Sequence, residues 1–175
     1  RITELLDFGD RPTRQIDYRV DGEGRVMVPG FIDAHAHLMG LGLGTLVLDL
    51  SGVQSLDEAL GRVAAYAAAN PERPWILGRG WNQELWGTGF PPAADLDTVV
   101  SDRPVWLERV DGHAGWANSR ALAAGDVTAR STDPTGGRIE RLPGSRAPAG
   151  VLVDAAQALI ATQIPPPLPE DRDVA

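Results

Sequence analysis

The chain has no cysteine among its 175 residues. That excludes disulfides and thiolate zinc sites, and leaves histidine, carboxylate or a modified lysine as donors for any bound metal. Cysteine absence also fits a reducing compartment, and a cytoplasmic location is expected. Positive charge is scarce: 16 Lys plus Arg stand against 24 Asp plus Glu, a formal net charge of −8. A nucleic-acid footprint needs clustered basic side chains, so neither nucleic acid nor an anionic membrane is expected as a partner. No stretch approaches the roughly 20 apolar residues of a membrane span. The first residues, Arg1 to Asp7, lack an initiator Met, a basic segment and an apolar segment, so the chain is expected to start mid-protein.

What is present is an ordinary globular balance, 43% hydrophobic and 23% charged, enough for a sizeable core. Residues 1–28 read as short strands, Ile2 to Leu6, Gln15 to Val20 and Arg25 to Val28, with a turn over Asp21–Gly24. Pro29-Gly30 then opens an apolar strand to Leu38, and the Gly40, Gly42, Gly44 run after it reads as a loop without a phosphate-binding fingerprint. Leu46 to Leu50 is a short strand candidate. Ser55-Leu56-Asp57-Glu58 has the form of a capping box, and Leu56, Ala59, Leu60, Val63, Ala64 and Ala67 place one apolar stripe on the helix that follows. Trp75 to Gly80 reads as the next strand, so strand, helix and strand compose an α/β unit.

Beyond it, Trp81, Trp86 and Phe90 sit in a Gly-rich aromatic loop, with a short helix near Asp95–Ser101. Pro104 to Val110 is another strand, ending in Asp111-Gly112-His113. Asn118-Ser119 can cap a helix to Ala124, stopped by Gly125. Residues 126–150 suggest an ordered loop or hairpin around Arg138–Glu140, and Val151 to Thr162 reads as a final amphipathic helix before Pro165-Pro166-Pro167.

Two of the three histidines, His35 and His37, share one face of the Pro29–Leu38 strand with Asp33. Two neutral imidazoles on one face can reach one divalent ion, but a catalytic site needs at least three protein ligands, and no third sits at a diagnostic spacing. On spacing alone the pair is either half of a metal site or simply hydrogen-bonded within a strand.

The run Pro29-Gly30-Phe31-Ile32-Asp33-Ala34-His35-Ala36-His37 resembles the signature on the first barrel strand of the amidohydrolase superfamily of metal-dependent hydrolases. Gly78-Arg79-Gly80-Trp81-Asn82-Gln83 with Trp86, then Arg109 to His113, Asn118 to Leu122, Pro134 to Glu140 and Pro148 to Leu152, are similar to the branch holding N-substituted formamide deformylases and exoenzyme-regulator-like proteins. The resemblance implies an α/β protein: a partial (β/α)₈ TIM barrel, with a β-sandwich lead-in and a small α+β insertion. Residues 1–28 would belong to a composite β-sandwich, 29–74 to the start of the barrel, 75–150 to the insertion, and 151–175 to a helix returning to the barrel. A closed barrel takes about 250 residues, so the chain is expected to be an N-terminal portion that is inactive alone.

The activity implied for the parent is hydrolysis of an amide-type C–N bond in a small-molecule substrate by a metal-activated water, with zinc as the expected divalent metal. His35 and His37 would be ligands and Asp33 a residue that orients one of them, or else a strand Asp accepting loop N–H groups. His113 would be catalytic, contacting substrate or a metal-bound oxygen, with Asp111 behind it; the alternative is a His satisfied by loop backbone, with Asp111 holding it. Trp81 and Trp86 would wall a substrate pocket or pack within the fold. A homodimer is an assembly the resemblance allows. The alternative function is a non-catalytic binding or regulatory protein on the same fold.

Overall fold

A computed structural model describes residues 4–7, 9–15, 18, 20–26, 28, 30, 32, 38–167 and 171. The chain divides into two compact units, Arg1–Ala36 and His37–Ala175.

In the first unit the expected turn is present: Arg25 N–H donates to Gly22 O at 2.8 Å and Glu23 N–H to the Asp21 carboxylate at 2.9 Å. The flanking strands are not found among the described residues. Leu5, Tyr18, Val20 and Val26 are all exposed there, and isolated strands with neither a paired edge nor a covered face are not stable in water.

The second unit is built on one six-stranded sheet, in the order β1-β2-β3-β4-β6-β5. The strands are β1 (Leu48–Asp49), β2 (Ile76–Trp81), β3 (Val105–Arg109), β4 (Ala114–Ala117), β5 (Gly137–Arg141) and β6 (Pro148–Asp154). β1, β2 and β3 are parallel; β3-β4, β4-β6 and β6-β5 are antiparallel. The helices are α1 (Leu38–Gly44), α2 (Leu56–Ala69), α3 (Gln83–Trp86), α4 (Ala93–Asp97), α5 (Ser119–Ala124) and α6 (Ala158–Ala161). One core joins the sheet to Ala59, Val63 and Ala67 of α2 and Leu96 of α4; the other joins it to Ala121 and Leu122 of α5 and Ile160 of α6. The sheet is therefore covered on both faces, and β1 and β5 are its edge strands among the described residues. The α/β expectation holds, but the described strands do not close into a barrel, and β1, β2 and β6 share a sheet although the sequence reading divides them.

Local chemistry explains the elements that the sequence announces. Ser55 Oγ accepts the Glu58 N–H at 3.2 Å, and the Glu58 carboxylate accepts the Gln54 N–H at 3.2 Å, so the box closes one residue earlier than its ideal form. Asn118 Oδ1 accepts the Ala121 N–H at 2.9 Å, and the Gly125 N–H returns to Ala121 O at 3.1 Å.

Three readings are corrected. The Gly40–Gly44 run is the helix α1, not a loop; Thr45 closes it by donating N–H and Oγ1–H to Gly42 O at 2.9 and 2.7 Å, and Arg79 Nε donates to Gly44 O at 3.4 Å. Those contacts outweigh the poor helix propensity of glycine. Val151–Thr162 is not one helix, because Val151–Asp154 finish β6 and only Ala155–Ala161 turn helical. Val151 packs in one core and Leu152 in the other, and a strand buried on both faces shows an unbroken apolar run that periodicity cannot tell from a buried helix. For the same reason the fully buried β4, Ala-Gly-Trp-Ala, went unread as a strand. Among the described residues no helix is long and apolar enough to cross a membrane.

Candidate functional site

Asp33, His35 and His37 lie outside the described residues. Among those described, no group of three or more His, Cys, Asp or Glu side chains could hold a metal ion. All 16 basic residues are arginine, so a modified lysine cannot come from this chain. The donors on offer are the two imidazoles of His35 and His37, a chemically fitting but incomplete set for a divalent ion.

His113 stands on the turn between β3 and β4. Gly112, at φ 73°, lets that turn close, with its N–H donating to Arg109 O at 2.9 Å. The His113 side chain is 75% exposed, and its Nδ1 lies 2.8 Å from Asp154 Oδ1 at the end of β6. An ionised carboxylate can only accept, so Nδ1 carries the proton. The hydrogen bond to Asp154 raises the His113 pKa above its ordinary value, helped by the charges of Asp154 and Asp111 and opposed by slight desolvation and by Arg109.

Asp111 accepts the His113 backbone N–H at 3.0 Å and Arg109 Nη1 at 2.5 Å. It thus holds the segment carrying the ring, while a different carboxylate meets the ring itself. Arg109 continues inward, donating Nε–H to the buried Gln83 Oε1 at 2.9 Å, with its guanidinium 5.9 Å from the Phe90 ring centroid. From the second end of the sheet, Gln157 Nε2 donates to Gly112 O at 2.9 Å. The turn is therefore fixed from β3, from α3 and from the segment after β6.

Sequence reasoning singled out His113 and Asp111 but missed Asp154, Gln157, Gln83 and the side-chain role of Arg109. Asp154 is 41 residues from its partner, and the misread helix concealed that it ends a strand beside β4. Gln83 was visible only as part of the Gly78–Gln83 block.

Trp81 is fully buried, and its Nε1–H donates to Leu107 O at 2.7 Å. Trp86 donates to Val53 O at 3.0 Å and Trp116 to Pro92 O at 3.0 Å; the three indoles meet pairwise at 6.1 Å between centroids. The structure places Trp81 and Trp86 in this aromatic packing beneath the sheet. A groove of about 410 Å³ among the described residues lies elsewhere, between Leu43, Leu46, Val47, Trp75, Leu77 and the Ile164–Pro167 segment. His113, Trp81 and Trp86 do not line it.

A model described as the amidohydrolase family matches residues 19–175. Protein LONG AFTER FAR-RED 3 of Arabidopsis thaliana is 43% identical over 141 residues, covering 81% of this chain and 24% of that protein. An N-substituted formamide deformylase of Arthrobacter pascens is 34% identical over 145 residues, covering 81% of this chain and 26% of that enzyme. Among solved structures, an uncharacterized metal-dependent hydrolase from Pyrococcus furiosus is similar, with a TM-score of 0.53 and 28% identity over 77% of this chain and 24% of that one. The chain spans about a quarter of the length of the curated relatives it matches.

Proposed function

Because the chain belongs to the amidohydrolase family, we propose that it is the N-terminal part of a metal-dependent hydrolase that cleaves an amide-type C–N bond of a small molecule. The observation that carries the reading is the His35-x-His37 pair within the Pro29–His37 run, inside the matched residues 19–175. The formamide deformylase and the metal-dependent hydrolase among its relatives support it.

His35 and His37 would hold a divalent metal, for which zinc suits paired imidazoles, with Asp33 orienting one of them. When bound, such an ion lowers the pKa of water and polarises a carbonyl. His113 would contact the substrate, and Asp111 would hold the turn that presents it. Trp81 would act from behind this turn, through Phe90, which lies under the Arg109 guanidinium, and Trp86 would back Trp81. Residues 1–28 are assigned to a composite β-sandwich and 29 onward to the barrel's first strand. The barrel start is drawn at 29–74, the insertion at 75–150 and the return to the barrel at 151–175; β1 of the first, β2 to β5 of the second and the end of β6 in the third lie in one sheet. The cytoplasm is its expected location.

Two imidazoles are fewer than the three protein ligands a catalytic site needs, so residues 1–175 alone are expected to bind metal weakly and hydrolyse nothing. The test is amine release from a panel of N-acyl and N-formyl compounds by the whole polypeptide that contains this chain. Activity lost on chelation and restored by zinc supports the reading; turnover indifferent to chelation contradicts it.

A further inference from the structure

Asp154 leaves β6 with φ 49° and ψ −124°, a conformation that L residues other than glycine rarely adopt and that persists only when the surroundings over-determine it. Three contacts do so. The Asp154 N–H donates to His113 O at 2.8 Å, its carboxylate meets His113 Nδ1 at 2.8 Å, and the Ala155 N–H donates to Gly136 O at 3.2 Å. The pair is exposed, at 75% for the His113 side chain and 50% for that of Asp154. Exposed ion pairs add little stability, so the strained backbone is not explained as a stabilising device.

The geometry instead fixes a direction. With Nδ1 engaged, no hydrogen bond among the described residues involves His113 Nε2, and the side chain as a whole is 75% exposed. Strain held in place around a pre-oriented polar group is a mark of functional sites. We propose that Asp154 is a positioning residue for His113, fixing the imidazole through Nδ1 so that Nε2–H is presented outward as a hydrogen-bond donor to the carbonyl oxygen of an amide-type substrate. The proposal rests on the hydrolase reading above and concerns a residue that neither the motif blocks nor the His-x-His pair include.

Nε2 donates only from the imidazolium, since a neutral ring with its proton on Nδ1 has a lone pair on Nε2. The charged groups around the ring are Asp154 from β6, Asp111 from the turn and Arg109 from β3; Gln157, after β6, is neutral. The two carboxylates favour the imidazolium and Arg109 opposes it. Substrate holding is therefore present below the raised His113 midpoint and lost as pH rises through it.

The test is histidine-labelled NMR of the whole polypeptide, with His113→Gln identifying the signal, together with kcat and KM against pH for wild type and Asp154→Asn. Asparagine tolerates positive φ and keeps the side-chain shape. The expected wild-type ring titrates above an unperturbed imidazole and, when neutral, carries its proton on Nδ1. Asp154→Asn should lower that midpoint, move the alkaline limb of kcat/KM down with it, and raise KM about tenfold at neutral pH with kcat held. A neutral wild-type ring protonated on Nε2, an unmoved midpoint, or an unmoved limb overturns the proposal. Should Asp154→Asn also unfold more readily, the wild-type tautomer still decides the positioning claim. A protein without any hydrolysis sinks the hydrolase reading, while the NMR arm judges Asp154 separately.

Discussion

Asn118 has no exposed surface and uses every polar atom of its side chain. Its Oδ1 accepts the N–H groups of Val105 at 3.0 Å and Ala121 at 2.9 Å, and its Nδ2 donates to the carbonyls of Val100 at 3.0 Å and Arg103 at 2.9 Å. One residue thus caps α5, begins β3 and closes the segment after α4. Asn118→Ala is expected to cost roughly 3 kcal/mol, because it loses a cap and strands buried groups. Asn118→Asp keeps the acceptor but removes both donors and buries a charge, so urea denaturation should find it at least as unstable. Gly115 is the complementary case: a Cβ there would stand 1.9 Å from Trp106 Cζ2. Gly115→Ala should cost about 3 kcal/mol by overpacking, read by the same denaturation.

The capping part of Asn118 was legible, since a cap is a local pattern of Asn and a helix start. Its other three bonds span 13 to 18 residues and no local pattern encodes them. The same distinction separates Asp111, two residues from His113 and visible to sequence reasoning, from Asp154, which reaches the ring only through sheet pairing.

At the scale of elements, α2 is the helix whose sequence and structure agree most closely. Five of the six residues of the expected stripe pack into the core, Ala59, Val63 and Ala67 buried and Leu56 and Leu60 against them, while Ala64 is half-buried. Val63→Ala should destabilise by about 2 kcal/mol, whereas Arg62, paired with Glu58 at 2.8 Å on the outer side, should be replaceable by Ala for well under about 1 kcal/mol. β6 is the opposite case, unreadable because its neighbours cover both faces. Its assignment as a strand between β4 and β5 predicts that Leu152→Ala costs about 3 kcal/mol; a surface-like loss of a few tenths in thermal or urea unfolding would contradict that placement.

At the scale of the whole molecule, the sheet unit His37–Ala175 supplies a folded platform with a fixed histidine turn, and the Pro29–His37 run supplies two imidazoles. The family was legible from ordered blocks of sequence along nearly the whole chain, whereas the open mixed sheet was not, because strand order is set by pairings between distant segments. The functional claim rests on the histidine pair, so its most direct test is metal analysis of the whole polypeptide as purified, with His35→Ala and His37→Ala alongside. The account predicts a bound divalent metal in the wild type and a marked loss from each variant. Undiminished metal in both variants would contradict it.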